Sequence, residues 1–418
     1  MLKVMFEICA LLISGEFKPA ERIRELPPAA SPCVSWIPLC LLATALSMVG
    51  MSAPSPASPT SGQTVPETPK VHLALIGAWH VHTSGFLNRI HQMNPGQVEW
   101  IAVWDKDPAR GKQFAGRLGV PYEPDYQKIL DNPNVEAVMI EAETNLHMDL
   151  ILRAARAKKH IFTDKILTPK VKDGLRIREA IEKNGVKFVI SHESMPVGSY
   201  QYARKLVENG SLGNIVSVHF RRAHGLAKTN NLVASWYDQE VAGGGALIDL
   251  GVHGMGLLTY LAGAPTRVSA SMRHWTKRAV EDTATILVDF KNGAIGTAHT
   301  NMVTNIQENL LEVVGTDGML VVVGTEGRET VYLNSKNIPE RAKGMTVVAS
   351  SEYTADGKYP INKFIDFVRD RSNTSQYLAG TGLDVDTALR VVAISEAAYA
   401  SARSEGRPQA IEDPASIK

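Results

Sequence analysis

After Cys40 the chain has no cysteine, and the three it has are Cys9, Cys33 and Cys40. Residues 41–418 therefore carry no disulfide and no thiolate metal site. Charge of one sign is also missing. Forty-four basic and 43 acidic residues leave a net charge of +1, which gives no electrostatic reason to expect nucleic acid. There is no apolar run long enough for an ordinary membrane span. The longest candidate, Val34–Val49, has 16 residues, short of the roughly 20 that a bilayer requires. The glycine pattern G-x-G-x-x-G is incomplete too: Gly77 is followed by Trp79 and His82 where the other two glycines would stand.

The short apolar run has a context of its own. Arg22 and Arg24 lie upstream, small residues follow at Gly50, Ser52, Ala53 and Ala57, and a Pro/Ser/Thr tract comes next. Basic flank, apolar core and small-residue exit predict an export signal over 1–53, processed near 52–57, and a linker over 54–70. The expected compartment is the periplasm, with no membrane span left after processing. A start assigned too far upstream would leave the protein cytoplasmic instead.

What is present from residue 71 onward is alternation. Val71–Ile76, Val98–Trp104, Val135–Ile140, His160–Thr163 and Val186–Ile190 are short apolar runs. Helical patterns separate them, with short connections. This predicts a parallel, doubly wound sheet over 71–190. Ligands of such sheets bind beyond the carboxyl ends of the strands. Three loops belong there: 77–83, the one at Asp105, and 141–147. Asp105 ends the second strand and can accept hydrogen bonds from ribose hydroxyls. It would repel a 2′-phosphate, so NAD is expected over NADP. Trp79 replaces the glycine that lets backbone approach a pyrophosphate. The helix amino terminus that follows can still receive an anion.

Further on, 215–222, 268–275, 283–290 and 294–302 read as strands. Lys291-Asn292-Gly293 and Thr316-Asp317-Gly318 read as hairpin turns. The second half, 191–385, is thus expected to be an α+β domain with an open, largely antiparallel sheet. Residues 386–412 form a terminal helix and tail.

Three segments carry a resemblance: Asn145-Leu146-His147, Thr163-Asp164-Lys165-Ile166-Leu167-Thr168-Pro169, and Gly243-Gly244-Gly245 through Asp249, Gly251 and His253. Together they resemble the glucose–fructose oxidoreductase, inositol dehydrogenase and rhizopine-catabolism (Gfo/Idh/MocA) family over about 70–412. The tail Ala388-Leu389-Arg390 to Pro408 agrees. The departures are Asp164-Lys165-Ile166 for the usual Glu-Lys-Pro, and Ala142-Glu143 for Thr-Pro. The resemblance implies a Rossmann domain followed by the open sheet, a homo-oligomer, and an NAD(P)-dependent oxidoreductase acting on a sugar, polyol or derivative. It implies catalytic roles for Lys165, Asp249 and His253. Lys165 and His253 would move protons, and Asp249 would orient the reacting hydroxyl. Gly77, Ala78, Trp79, His80, Val81, Asp105, Asn145, His147, Asp164 and Lys165 would line the cofactor, and His192, Arg221 and Trp236 the substrate.

Alternatives stay open at individual residues. Asp249 and His253 are four apart, so a continuous helix would put them on one face. Strand alternation lets only one of Arg221 and Arg222 point inward. Trp236 fits sugar stacking or a core equally. His80 and His82 could ligate zinc, but no H-E-x-x-H or other compact metal spacing is present, so no metal is expected. An exported enzyme would need a tightly held cofactor recycled on one site. That admits a glycoside-cleaving enzyme with transient oxidation, and the incomplete glycine pattern admits a non-catalytic binding protein.

Overall fold

The structure is a computed structural model. It describes residues 69–417 apart from 230–231, 306–308, 326, 371–377 and 379. The expected export signal and most of the linker fall outside the described residues.

Five strands form the first sheet: β1 (Val71–Ile76), β2 (Val98–Trp104), β3 (Ala137–Ile140), β4 (His160–Thr163) and β5 (Phe188–Ile190). Their order is β2-β1-β3-β4-β5 and every pair is parallel. Leu73, Leu75, Val138, Ile140, Ile161 and Val189 are fully buried, as a sheet covered on both faces requires. β1 pairs with β2 on one side and β3 on the other, so the strand order reverses beside β1. The crevice at that reversal is where the chain places loop 77–83. Gly77 leaves β1 at φ +77°, and a Cβ there would lie 2.5 Å from the Ala142 backbone. Only glycine fits this turn.

Two helix starts show local control. Asp107 caps Pro108–Leu118 by accepting from the amides of Ala109 and Arg110, and Gly119 ends that helix in the left-handed region. Asp125 caps a short helix, Tyr126–Asp131. The apolar pattern alone does not announce this second helix.

The second sheet has nine strands: β6 (Ile215–Ala223), β7 (Pro265–Arg273), β8 (Thr283–Phe290), β9 (Ile295–Asn301), β10 (Asn309–Gly315), β11 (Gly318–Gly324), β12 (Thr330–Ser335), β13 (Thr346–Val347) and β14 (Gln409–Ala410). The order is β13-β12-β11-β10-β6-β9-β8-β7-β14. Only β6 and β9 run parallel; the other pairs are antiparallel. Both expected hairpins form, at 291–293 and 316–317. The apolar helix Gly251–Ala262 covers one face, with Val252, Leu257 and Leu258 buried. On the opposite face Leu287 and Ile295 are exposed.

The boundary between the halves is crossed twice. Helix Pro360–Arg369, expected with the second domain, packs on helix Thr83–Met93 and on β1, β4 and β5. Helix Val385–Arg403 packs on β7 and β5 together. Among the described residues, no single helix is long and apolar enough to cross a membrane.

Candidate active site

The crevice has two walls. The first is built by loop 77–83. Gly77 turns the chain, and the amides of Trp79 and His80 both donate to the Glu141 carbonyl, at 3.0 and 3.1 Å. This fixes two side chains. The Trp79 indole stacks on Trp236 from the second half, with centroids 4.3 Å apart and planes at 19°. Its Nε1 donates to Ser235 Oγ at 2.9 Å. Such a pair gains about 1 kcal/mol beyond the apolar area it buries. His80 turns inward, its Nδ1 lying 2.5 Å from Asp164 Oδ2. His82 Nδ1 approaches the same oxygen at 3.2 Å. Asp164 is fully buried, and its Oδ1 accepts the Lys165 amide at 2.7 Å.

The charge balance on this wall follows from burial. Burial alone would raise the Asp164 carboxyl, but His80 and His82 outweigh it and hold the group well below its usual range. Burial depresses His80 to about 4 in spite of Asp164. His82 rises: burial opposes it, yet Asp164 and Glu193 prevail. Glu141 is pushed well up, first by burial and then by the Asp164 and Glu193 carboxylates. Its Oε1 has no hydrogen-bond partner among the described residues.

The second wall joins the two halves. Lys165 Nζ donates to Asp249 Oδ1 and to the Asp249 carbonyl, both at 2.6 Å. Two of its three donor positions are therefore engaged by one residue. Burial would raise Asp249, but Lys165 and then His80 bring it down to about 2. His253 is buried and held well below its normal value by burial, Arg222 and Lys165, so its imidazole is neutral. Its Nδ1 lies 3.2 Å from Ser194 Oγ, which also accepts from Arg222 at 3.0 Å.

The glycine run explains how Asp249 is placed. At Gly245 a Cβ would sit 1.9 Å from the Glu281 carbonyl. Its amide donates to the Glu281 carboxylate, and the Ala246 amide to the Glu281 carbonyl. The chain then starts the short helix Ala246–Asp249.

Several expectations are corrected. Asp249 and His253 do not share a helix face. The helix breaks at Leu250 with a 54° bend, so Asp249 turns to Lys165 and His253 to Ser194. The inward arginine is Arg222; Arg221 is exposed. Trp236 meets Trp79 rather than an open sugar site. His147 is a buried clamp, with Nδ1 and Nε2 facing the carbonyls of Ile166 and Ala142. His192 Nδ1 faces the Gly382 carbonyl at 3.0 Å. Asn145 and Val81 are exposed at the crevice mouth.

Asp105 departs most from expectation. It is buried, and it accepts from the Ala78 amide at 2.8 Å, the Asp107 amide at 2.8 Å and Arg110 through two nitrogens at 2.7 and 2.6 Å. Arg110 also reaches Glu143. Capacity for a ribose is taken up, and the argument from a free carboxylate against a 2′-phosphate falls away. The loop amides are engaged likewise: Ala78 on Asp105, Trp79 and His80 on Glu141, His82 on His80 Nδ1 and Thr83 on the His80 carbonyl. A dinucleotide laid along loop 77–83 does not fit this arrangement.

Comparison with known proteins places this geometry. The model of the oxidoreductase family, NAD-binding Rossmann fold, matches residues 71–192. The model of the GFO/IDH/MocA C-terminal domain matches residues 200–321. The chain belongs to the GFO/IDH/MocA oxidoreductases. Levoglucosan dehydrogenase from Pseudarthrobacter phenanthrenivorans is 24% identical over 247 residues, 52% of this chain and 63% of that one. The chain thus spans less than two thirds of that relative. The scyllo-inositol 2-dehydrogenase (NAD(+)) of Bacillus subtilis is 26% identical over 292 residues, 65% of this chain and 83% of its own. A putative NADPH-dependent oxidoreductase from Desulfitobacterium hafniense shares the fold at TM-score 0.70 and 19% identity, covering 82% of this chain and 98% of its own. For this GFO/IDH/MocA member, sequence reasoning missed Arg110, Glu141, Glu193 and Ser194. Arg110 could have been found five residues beyond Asp105, in the first turn of the next helix. The others carry no local signal.

Proposed function

We propose that the protein is an oxidoreductase acting on a secondary hydroxyl of a sugar, polyol or related small molecule, in the crevice between Lys165, Asp249 and His253. The observation that carries this reading is the buried Lys165–Asp249 pair, 2.6 Å apart and drawn from the two halves of the chain. Lys165 keeps one donor position for a substrate oxygen. Asp249 stays ionised and fixes that donor. His253, neutral and buried, is the group able to accept a hydroxyl proton, and Ser194 with Arg222 holds its ring. A nicotinamide cofactor would supply the hydride acceptor in this family. The fold is suited to one, but loop 77–83 is not.

That mismatch favours a second reading: redox-neutral chemistry on the same substrates, without net reduction of a cofactor. One experiment separates them. The chain is purified and denatured, and the supernatant is examined for nicotinamide absorbance. The native protein is then offered inositols and anhydrosugars with NAD or NADP. Reduced nicotinamide formed in step with product supports the first reading. Product without accumulated reduced nicotinamide supports the second, and neither product nor cofactor binding overturns both.

Export and assembly belong to the same proposal. The apolar run before residue 50 would direct the protein to the periplasm. The exposed Leu287 and Ile295 lie on a sheet face suited to a second copy of the chain.

A further inference from the structure

We propose that His80, His82 and Asp164 form a three-ligand site for a divalent first-row transition metal ion, beside the Lys165–Asp249 pair.

The donor atoms are already gathered: one from each residue lies within 4.8 Å of the others. The imidazoles sit 4.4 Å apart by ring centroid and both direct Nδ1 at one carboxylate oxygen. A metal about 2.1 Å from each donor sets them roughly 3 to 3.5 Å apart. The distances of 2.5 and 3.2 Å need only a small opening. Two imidazoles and one carboxylate make a donor set suited to zinc, iron, manganese or cobalt, and leave at least one coordination position open.

The surroundings provide a second, independent observation. Glu141 is fully buried, its main-chain carbonyl accepts from the His80 amide at 3.1 Å, and its Oε1 has no partner among the described residues. A water bound to the ion would give that buried oxygen a hydrogen-bond partner. His82 is the least buried of the three, with 27% of its side chain exposed. That gives the ion a way in and a substrate oxygen a way to the open position. A Lewis acid there would polarise a hydroxyl or carbonyl oxygen held by Lys165. The inference also explains why the loop has an imidazole, His82, where a pyrophosphate cradle has its third glycine.

The test uses the whole chain without a histidine tag. It is stripped with chelator, dialysed against zinc, manganese or cobalt, and analysed for bound metal. The expected result is about one ion per chain, with affinity at least tenfold weaker in His82→Ala and binding lost in His80→Ala/His82→Ala. Circular dichroism and the thermal midpoint show whether each variant is folded. His82→Cys serves as a second probe: bound cobalt should gain a sulfur charge-transfer band in the near ultraviolet. Wild type that retains no more metal than the double variant overturns the proposal. So does stoichiometric metal whose affinity the substitutions do not change, or cobalt that shows no sulfur band in a folded His82→Cys. Metal content is read without turnover, so this result stands apart from the hydride reading.

Discussion

The two walls of the crevice handle charge in opposite ways. On one, Lys165 and Asp249 are matched one to one at 2.6 Å, and each compensates the other's burial. On the other, two imidazoles converge on one oxygen of Asp164, while Glu141 is buried nearby with an oxygen unserved among the described residues. The Lys165–Asp249 wall is complete with the chain's own residues. The wall of loop 77–83 has its donors gathered but not balanced. Closing a buried ion pair fixes geometry, whereas gathering several ligands around one point creates a demand for something else.

The comparison can be broken hardest at Lys165. Lys165→Met removes the donor and leaves Asp249 buried without its partner, and turnover should fall by about a thousandfold or more. Steady-state kinetics with a polyol substrate checks this, and a fall of less than tenfold would show that the complete wall is only structural.

Asp249 offers a thermodynamic version of the test. Its folded-state value, about 2, lies below its ordinary 3.8. The pair therefore adds stability above pH 4 and loses it as pH falls toward 2. The difference corresponds to about 2 kcal/mol. Urea unfolding of wild type and Asp249→Asn should show a gap at pH 6 that narrows at pH 3. A gap that does not change with pH would contradict the assignment.

The incomplete wall can be sharpened instead. Trp79→Gly restores the missing second glycine and removes the indole stacked on Trp236. Affinity for NAD or NADP, measured by calorimetry, should rise less than about threefold, because the loop amides and Arg110 stay engaged. A tenfold gain would mean that the indole, rather than those contacts, excludes a dinucleotide. Smallest is the expected effect at β6. Arg221→Ala should change turnover by less than about twofold, while Arg222→Ala, which loosens Ser194 and His253, should cost about tenfold. Equal effects would undo the assignment of the inward face.

How much of this was written in the sequence depended on distance along the chain. The strands of the first sheet are continuous apolar runs, and local burial makes them so. Hairpins at 291–293 and 316–317 rest on adjacent residues. The placement of Lys165, Asp249 and His253 came from resemblance, and the fold brings them together with a helix break at Leu250 that composition does not signal. Contacts across long separations were not legible. Asp164 lies 82 residues from His82, and Ser194 lies 59 from His253. Trp79 meets Trp236 only because the halves fold against one another. Asp105 was read as a free acceptor because a motif specifies a residue type and not who has already bound it.

The stacked indoles also give the molecule a built-in optical reporter. The chain has six tryptophans, and two of them are held nearly parallel at van der Waals separation across the crevice. Rings this close couple electronically, so their emission differs from that of isolated indoles. Any ligand that enters between loop 77–83 and segment 234–237 must part them. Its arrival should be visible as a change in intrinsic fluorescence, without label or turnover, and Trp236→Phe should abolish the signal.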